Sequence, residues 1–238
     1  MLRLLLFISL LSYNLQAQET NSLKAYYFPY QDFFEPKIYQ YVDKNEPLNT
    51  LYWWLETKVH EGDTIFATRV FDAYGYVREQ FHEKITATGS KVVTYSLVIK
   101  KTNIFTQLVH HDVFRWVQTP DESIKWSARY NSPFGKESIR KKRTLLANES
   151  SSKIFHKQSY PTVAFKEEFR HSILDSKGAA TYDFYQTSHY GKGIGLLSFK
   201  RILEEQIFDY HLEDILSVDE WKKLRLTIKN KPQTNKRT

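Results

Sequence analysis

The sequence predicts a mainly β protein: a strongly curved antiparallel sheet or half-barrel with one or two short helices. Three observations predict it. Apolar and polar residues alternate with period two along many short segments, while helical periodicity is scarce. Turn chemistry separates those segments, at Glu61-Gly62-Asp63, Tyr74-Gly75, Thr88-Gly89-Ser90, Asn131-Ser132-Pro133 and Lys177-Gly178. The composition is rich in strand formers, with 16% aromatic residues, 16 Tyr and 16 Phe.

Along the chain, strands are expected at 37–42, 51–59, 64–71, 76–87 and 93–99, then at 103–113, 124–130, 137–146, 163–173 and 180–190. In the seventh, Ile124, Trp126, Ala128 and Tyr130 share one face and Lys125, Ser127 and Arg129 the other, the pattern of a half-buried antiparallel strand. The polar, Ser-rich stretch 147–161 reads as a long loop. It contains Asn148-Glu-Ser150, a formal glycosylation acceptor. Ser217-Val-Asp-Glu220 is a capping box ahead of Trp221 and predicts one short helix.

His189-Tyr-Gly-Lys-Gly-Ile-Gly-Leu-Leu-Ser-Phe-Lys200 raises the question of a phosphate loop. A P-loop needs four residues between its glycines and then Lys-Ser or Lys-Thr. A dinucleotide fingerprint needs its third glycine three places after the second, ahead of a helix. Neither spacing is met. The better reading is a strand with Gly191, Gly193 and Gly195 on one face, allowing a bend or close backbone approach. A bulge just after Gly195 would keep its apolar face continuous. Residues 201–216 fit either a helix or a hairpin turning at Glu204-Glu205-Gln206. The regular alternation of Phe208, Tyr210 and Leu212 favours the hairpin.

The first residues have the layout of a signal peptide: Arg3, an apolar run from Leu4 to Leu11, and Ala17 at the expected cut. A spanning helix needs roughly 20 apolar residues, and this run is far shorter. The expected organisation is a leader over 1–17, a single β-rich domain over 18–229, and a basic, disordered tail over 230–238. Periplasmic or secreted localisation follows, with a mature protein that does not span a membrane. The chain has no cysteine, which excludes disulfides, thiolate metal sites, a cysteine nucleophile and a lipidated N-terminal cysteine. The net charge of +7 favours anionic partners, nucleic acid least among them in an exported protein.

The run Tyr190 to Phe199, of the form Tyr-Gly-x-Gly-x-Gly-Leu-x-x-Phe, is followed by a polar turn and a final strand. Tyr27-Phe-Pro29, Glu35-Pro-Lys-Ile-Tyr39 and Tyr52-Trp-Trp54 open the chain. Together these resemble the exported β-proteins related to the periplasmic lipoprotein carrier and receptor (LolA and LolB). The resemblance implies a curved antiparallel sheet around a helical lid, a greasy cavity, and binding of an acyl chain or another apolar ligand. This sequence departs from that pattern in having no clear long lid helix.

Chemical constellations are few. His110 and Asp112 would share a strand face, but no further ligand motif accompanies them, so no metal site and no cofactor are expected. Adjacent carboxylates at Glu167-Glu168 and Glu204-Glu205 would point to opposite faces. No Gly-x-Ser-x-Gly elbow anchors a hydrolase triad. The leading expectation is therefore a non-catalytic exported protein that binds an apolar or lipid-like ligand in the concavity of its sheet. Tyr52, Trp54, Tyr95, Trp126, Phe165 and Phe169 are the expected lining. The alternative is a cell-envelope interaction module that contacts an anionic component through Lys136, Arg140 and Lys142. The bland reading of that strip is an edge strand protected by charge. A carbohydrate-active enzyme with an unrecognised acidic pair is a further alternative.

Overall fold

The computed structural model describes residues 22–147 and 151–230. The expected leader, the acceptor triplet at Asn148 and all but the first residue of the expected tail lie outside the described residues. The chain forms β1 (Lys37–Asp43), β2 (Thr50–His60), β3 (Asp63–Phe71), β4 (Val77–Ile85), β5 (Gly89–Ile99), β6 (Thr102–Phe105) and β7 (Gln107–Arg115). It continues through β8 (Ser123–Ser132), β9 (Gly135–Leu145), β10 (Ser151–Phe155), β11 (Gln158–Asp175), β12 (Gly178–Gly191), β13 (Gly195–Leu203) and β14 (Gln206–Leu216), and ends in helix α1 (Val218–Asn230).

All fourteen strands belong to one antiparallel sheet, and that sheet closes. β14 returns to pair with β1, and β9 pairs with β11 over ten residue pairs, from Phe165↔Leu145 to Leu174↔Lys136. With β6 and β10 outside the ring, twelve strands make a closed barrel. The expected open sheet or half-barrel is thereby corrected. The closing pair is not adjacent in sequence, and strand periodicity carries no information about it. The stretch 147–161 is also not one long loop. β10 folds back onto β11 through a two-residue turn, with His156 and Lys157 at φ +46° and +67°. Both central residues are left-handed, as a type I′ hairpin requires, yet neither is the Asn or Gly that signals it. The expected strand over 103–113 is split near Thr106 into β6 and β7.

Period two sorts the side chains. Tyr39 and Tyr41, Trp53 and Leu55, Phe66, Phe199 and Tyr210 meet in the main core inside the barrel. Register shifts interrupt that pattern in six of the strand pairs, and two of them bear on the core here. Between Gln40 and Tyr41 the register skips Glu213 on β14, so Leu212 packs inside while Leu216 packs outside against Trp221. On β13 the skipped residue is Leu197, since His189 faces Ser198 and Tyr190 faces Leu196. The bulge expected just after Gly195 is there, and 201–216 is the favoured hairpin, turning at Glu204-Glu205.

Residues 22–36 plug one end of the barrel. Two short 3₁₀ turns, Leu23–Tyr26 and Tyr30–Asp32, carry Tyr27, Phe28 and Phe33 into the core. Backbone bonds fix the plug to the wall: Leu23 N to Trp116 O (2.8 Å), Gly193 N to Ala25 O (2.7 Å) and Thr57 N to Phe33 O (2.8 Å). The glycine run serves this plug. It is a hairpin turn rather than one continuous strand, with Gly191 paired to Gly195. Gly195 has φ +83°, and a Cβ there would lie 2.5 Å from the Phe28 ring and 3.0 Å from its Cα.

α1 packs on the outside of β1–β3. Its capping box forms as expected, with Ser217 N donating to Glu220 Oε2 at 2.8 Å and Glu220 N to Ser217 Oγ at 3.3 Å. Trp221 lies between Tyr52 and Phe71, with ring centroids 4.7 and 5.2 Å away. The helix therefore covers the outer wall and is not the lid that the resemblance implied.

Gly195→Ala and Gly62→Ala both place a side chain at positive φ, but only the first meets another residue. Denaturant unfolding should show Gly195→Ala to be the more destabilising, by about 1–3 kcal/mol of overpacking against the plug. Equal losses would mean that Phe28 does not press on Gly195.

Candidate functional site: the barrel lumen

Alternation along β4, β9, β11, β12 and β13 carries charge into the lumen as well as rings. Glu79, Phe81 and Glu83 enter from β4, Lys141 and Arg143 from β9, Phe169 from β11, Phe184 and Gln186 from β12, and Phe199 and Arg201 from β13. They surround a cavity of about 230 Å³ that Tyr95, Trp126, Trp53 and the plug residues Tyr27 and Phe28 complete. The cavity lies between the main core and a second cluster of Val92, Tyr95, Trp126 and Ala128, against which Phe81 and Ile139 pack.

The charged groups form two sets. The first is centred on Glu167, which is fully buried. Its Oε1 takes Arg143 Nε at 2.7 Å and Lys141 Nζ at 2.9 Å. Its Oε2 takes Gln186 Nε2 at 2.6 Å and Ser188 Oγ at 3.0 Å. Arg143 also donates to Tyr190 Oη (2.8 Å) and Val113 O (2.7 Å), so each nitrogen of its guanidinium has a partner. Burial alone would raise the Glu167 carboxyl, but Lys141 and then Arg143 outweigh it and hold it at about 2. Burial pushes the Lys141 ammonium down to about 8 against the pull of Glu167.

The second set faces the cavity with fewer partners. Burial raises the Glu79 carboxyl, and Arg201 and a hydrogen bond from Tyr95 (3.1 Å) offset only part of this. Burial likewise raises Glu83, which accepts from Tyr27 Oη and Ser90 Oγ at 2.7 Å each. Arg201 donates to the neutral Gln186 Oε1 at 3.0 and 3.1 Å. Its guanidinium lies 5.4–5.9 Å from the rings of Phe184, Phe199 and Phe169. The indole Nε1 of Trp53 is buried in this wall with no hydrogen-bond partner among the described residues.

Of the residues expected to line a ligand site, Tyr95, Trp126 and Phe169 line the cavity. Phe165 is inside the barrel but deeper, beside Phe114 and Tyr190. Tyr52 and Trp54 do not line it. They face outward in the cluster beneath Trp221, and their neighbour Trp53 takes the inward position. In Tyr52-Trp-Trp54, alternation allows either choice of face, and nothing local to the sequence decides which one the helix covers. Arg140 and Lys142 are on the outer wall, and Lys136 is at the hairpin end of β9, opposite Asn131. His110 and His111 bond to Ser127 Oγ (2.8 Å) and Val92 O (2.9 Å). No group of three metal-ligating side chains occurs among the described residues.

The lumen charges were missed, although the pattern that places them was visible. If Phe165 and Phe169 turn inward, so does Glu167. If Arg140 and Lys142 turn outward, Lys141 and Arg143 turn inward. What the sequence did not carry is the β9–β11 pairing that joins them.

The fold and site together define a plugged antiparallel barrel with a ring-lined, charged lumen. A crystal structure of a candidate exported protein with a YmcC-like fold from Bacteroides fragilis is similar: TM-score 0.52, 13% identity, covering 80% of this chain and 99% of that one. A crystal structure of a candidate lipoprotein from Parabacteroides distasonis aligns with TM-score 0.48 and 10% identity, covering 79% of this chain and 97% of that one. The first likeness shows the fold, a YmcC-like one. The resemblance to the lipoprotein carrier and receptor gains no support from either. No protein-family model and no curated protein matches the chain.

Glu167→Gln leaves the buried Arg143 and the mostly buried Lys141 without their counter-charge and should cost about 3–5 kcal/mol at pH 7. The folded-state value of about 2 lies below the roughly 4.3 of an unfolded glutamate. The contribution is therefore present above about 4.3 and lost as pH falls toward 2. Urea unfolding across that range should show the wild type and variant converging. Glu79→Gln, which removes a carboxyl that burial disfavours, should cost far less, and equal losses would contradict the two-set division.

Proposed function

We propose that the protein is an exported, non-catalytic binding protein that holds a small ligand in the barrel lumen. The ligand has an apolar, ring- or chain-like body and one polar end. The observation that carries this reading is the ring-lined cavity, whose wall holds the Trp53 N–H, unpartnered among the described residues, and the Arg201 guanidinium, whose only hydrogen-bond partner among them is the neutral Gln186. Buried polar groups without partners are rare in folded proteins, and a few such groups in an apolar cavity are what orients a ligand.

The volume refines the ligand class. Pockets for drug-sized molecules span about 300–1,000 Å³, and this one is about 230 Å³. A single ring or a short chain fits, and a diacyl phospholipid does not. Export is supported by the expected leader and agrees with the description of the Bacteroides fragilis neighbour as an exported protein. The outer wall also bears charges within its strands at Arg69, Arg129, Lys142 and Arg170. Such charges cost a lipid-facing barrel about 2–4 kcal/mol each at the bilayer centre, which favours a wall bathed in water.

Native mass spectrometry of the protein from its own envelope should reveal a small bound species. Calorimetry should detect benzoate or octanoate but not a diacyl phospholipid. Ile139→Phe, which fills the cavity, should abolish that binding while circular dichroism stays unchanged. An empty protein that takes neither probe, or full binding by Ile139→Phe, would overturn the proposal.

A further inference from the structure

The outer wall carries a second, independent feature. On β8, β9 and β11 the register sets like charges directly opposite each other: Lys125 faces Lys142, and Arg140 faces Arg170. Facing like charges destabilise a sheet. Edge protection, the ordinary reason for a lysine-rich strand, does not apply, because β9 is hydrogen-bonded on both sides. Lys125 and Arg140 are exposed and form no ion pair within 4 Å among the described residues, although Arg140 is near enough to Asp183 to favour its charged form.

These four cations border a groove of about 280 Å³ that Glu168, Asp183 and Tyr185 complete. The two carboxylates are already committed, Asp183 to Arg170 in a bidentate pair at 2.7 and 2.8 Å and Glu168 to Lys166 at 3.4 Å and Lys142 at 3.6 Å. The groove therefore keeps an excess of positive charge. It also offers one exposed aromatic ring and carboxylate oxygens able to accept from hydroxyls.

We propose that this groove binds an acidic glycan. The carboxylate or phosphate of a sugar unit lies between Lys125, Arg140, Lys142 and Arg170, relieving their mutual repulsion. The sugar face rests on Tyr185, and neighbouring hydroxyls donate to Glu168 and Asp183. A concave, partly acidic groove with an aromatic wall suits a sugar better than a flat anionic membrane, which would meet the two carboxylates as repulsion. Phe169 and Arg170 border both this groove and the lumen cavity, but Lys125, Arg140, Lys142 and Tyr185 do not line the lumen, so this site stands or falls separately from the one inside.

The test measures binding of the full mature protein to polygalacturonate, to a phosphorylated mannan, and to vesicles containing phosphatidylglycerol, at low and at moderate salt. At least one glycan should bind, more weakly as salt rises. Lys125→Gln with Arg140→Gln should weaken it about tenfold or more, through the loss of two charge-assisted contacts. Tyr185→Ala should weaken it while leaving the salt dependence unchanged. Binding to vesicles alone, to nothing, or to glycans with undiminished affinity in the double variant would each overturn the proposal.

Discussion

The pairing of β9 with β11 turns a sheet into a barrel, and the buried carboxylate of Glu167 sits on that seam. Glu167 faces Arg143 directly in the register and reaches Gln186 and Ser188 on the next strand. One anion thus ties β9, β11 and β12. Removing charges from water is expensive, and their attraction compensates only when every partner is in place. That makes the seam selective. A one-residue slip would turn Glu167 to the outside and strand Lys141 and Arg143 inside. Closure in this register also removes the free edges that long strands would otherwise offer to other chains.

The rest of the interior follows from closure. Once the seam is made, the inward faces of twelve strands have no solvent side, and aromatic rings fill most of the space. One end is stopped by residues 22–36, which can lie flush because Gly195 has no side chain where Phe28 needs room. Inside the opposite half, the rings of Phe81, Tyr95 and Trp126 gather along one wall. Arg201 with Phe169, Phe184 and Phe199 gathers along another. The cavity is what remains between them. The outer wall is a separate surface, set by the same alternation. Each lumen cation of β9 has an outward neighbour, and those neighbours make the basic groove.

Much of the strand order was legible, because alternation and turn residues are local signals. Ile124 to Tyr130, the Ser217 capping box and the Glu204-Glu205 turn could all be read directly. Closure was not legible. It depends on residues some twenty to forty positions apart finding one another, and the Ser-rich stretch between them hides β10 behind a turn with no glycine. Site residues divide along the same line. Tyr95, Trp126 and Phe169 follow from alternation within one strand. Tyr52 and Trp54 depend on which face the distant helix covers, and Trp221 takes that face. Glu167, Lys141 and Arg143 were each assignable to the inward register, but their meeting is a property of the seam.

The closed seam is directly measurable, because the chain has no cysteine. Ser138 and Ser172 are register partners across β9 and β11. Partners in an antiparallel pair have Cα atoms about 4.5–5.5 Å apart, within the about 4.4–6.8 Å span of disulfides. In the double variant Ser138→Cys, Ser172→Cys, mild oxidation should convert both thiols quantitatively into one intramolecular disulfide, with folding and ligand binding retained. Two thiols that stay free and react with maleimide in the folded protein would place β9 and β11 on separate edges of an open sheet, with no closed chamber between them.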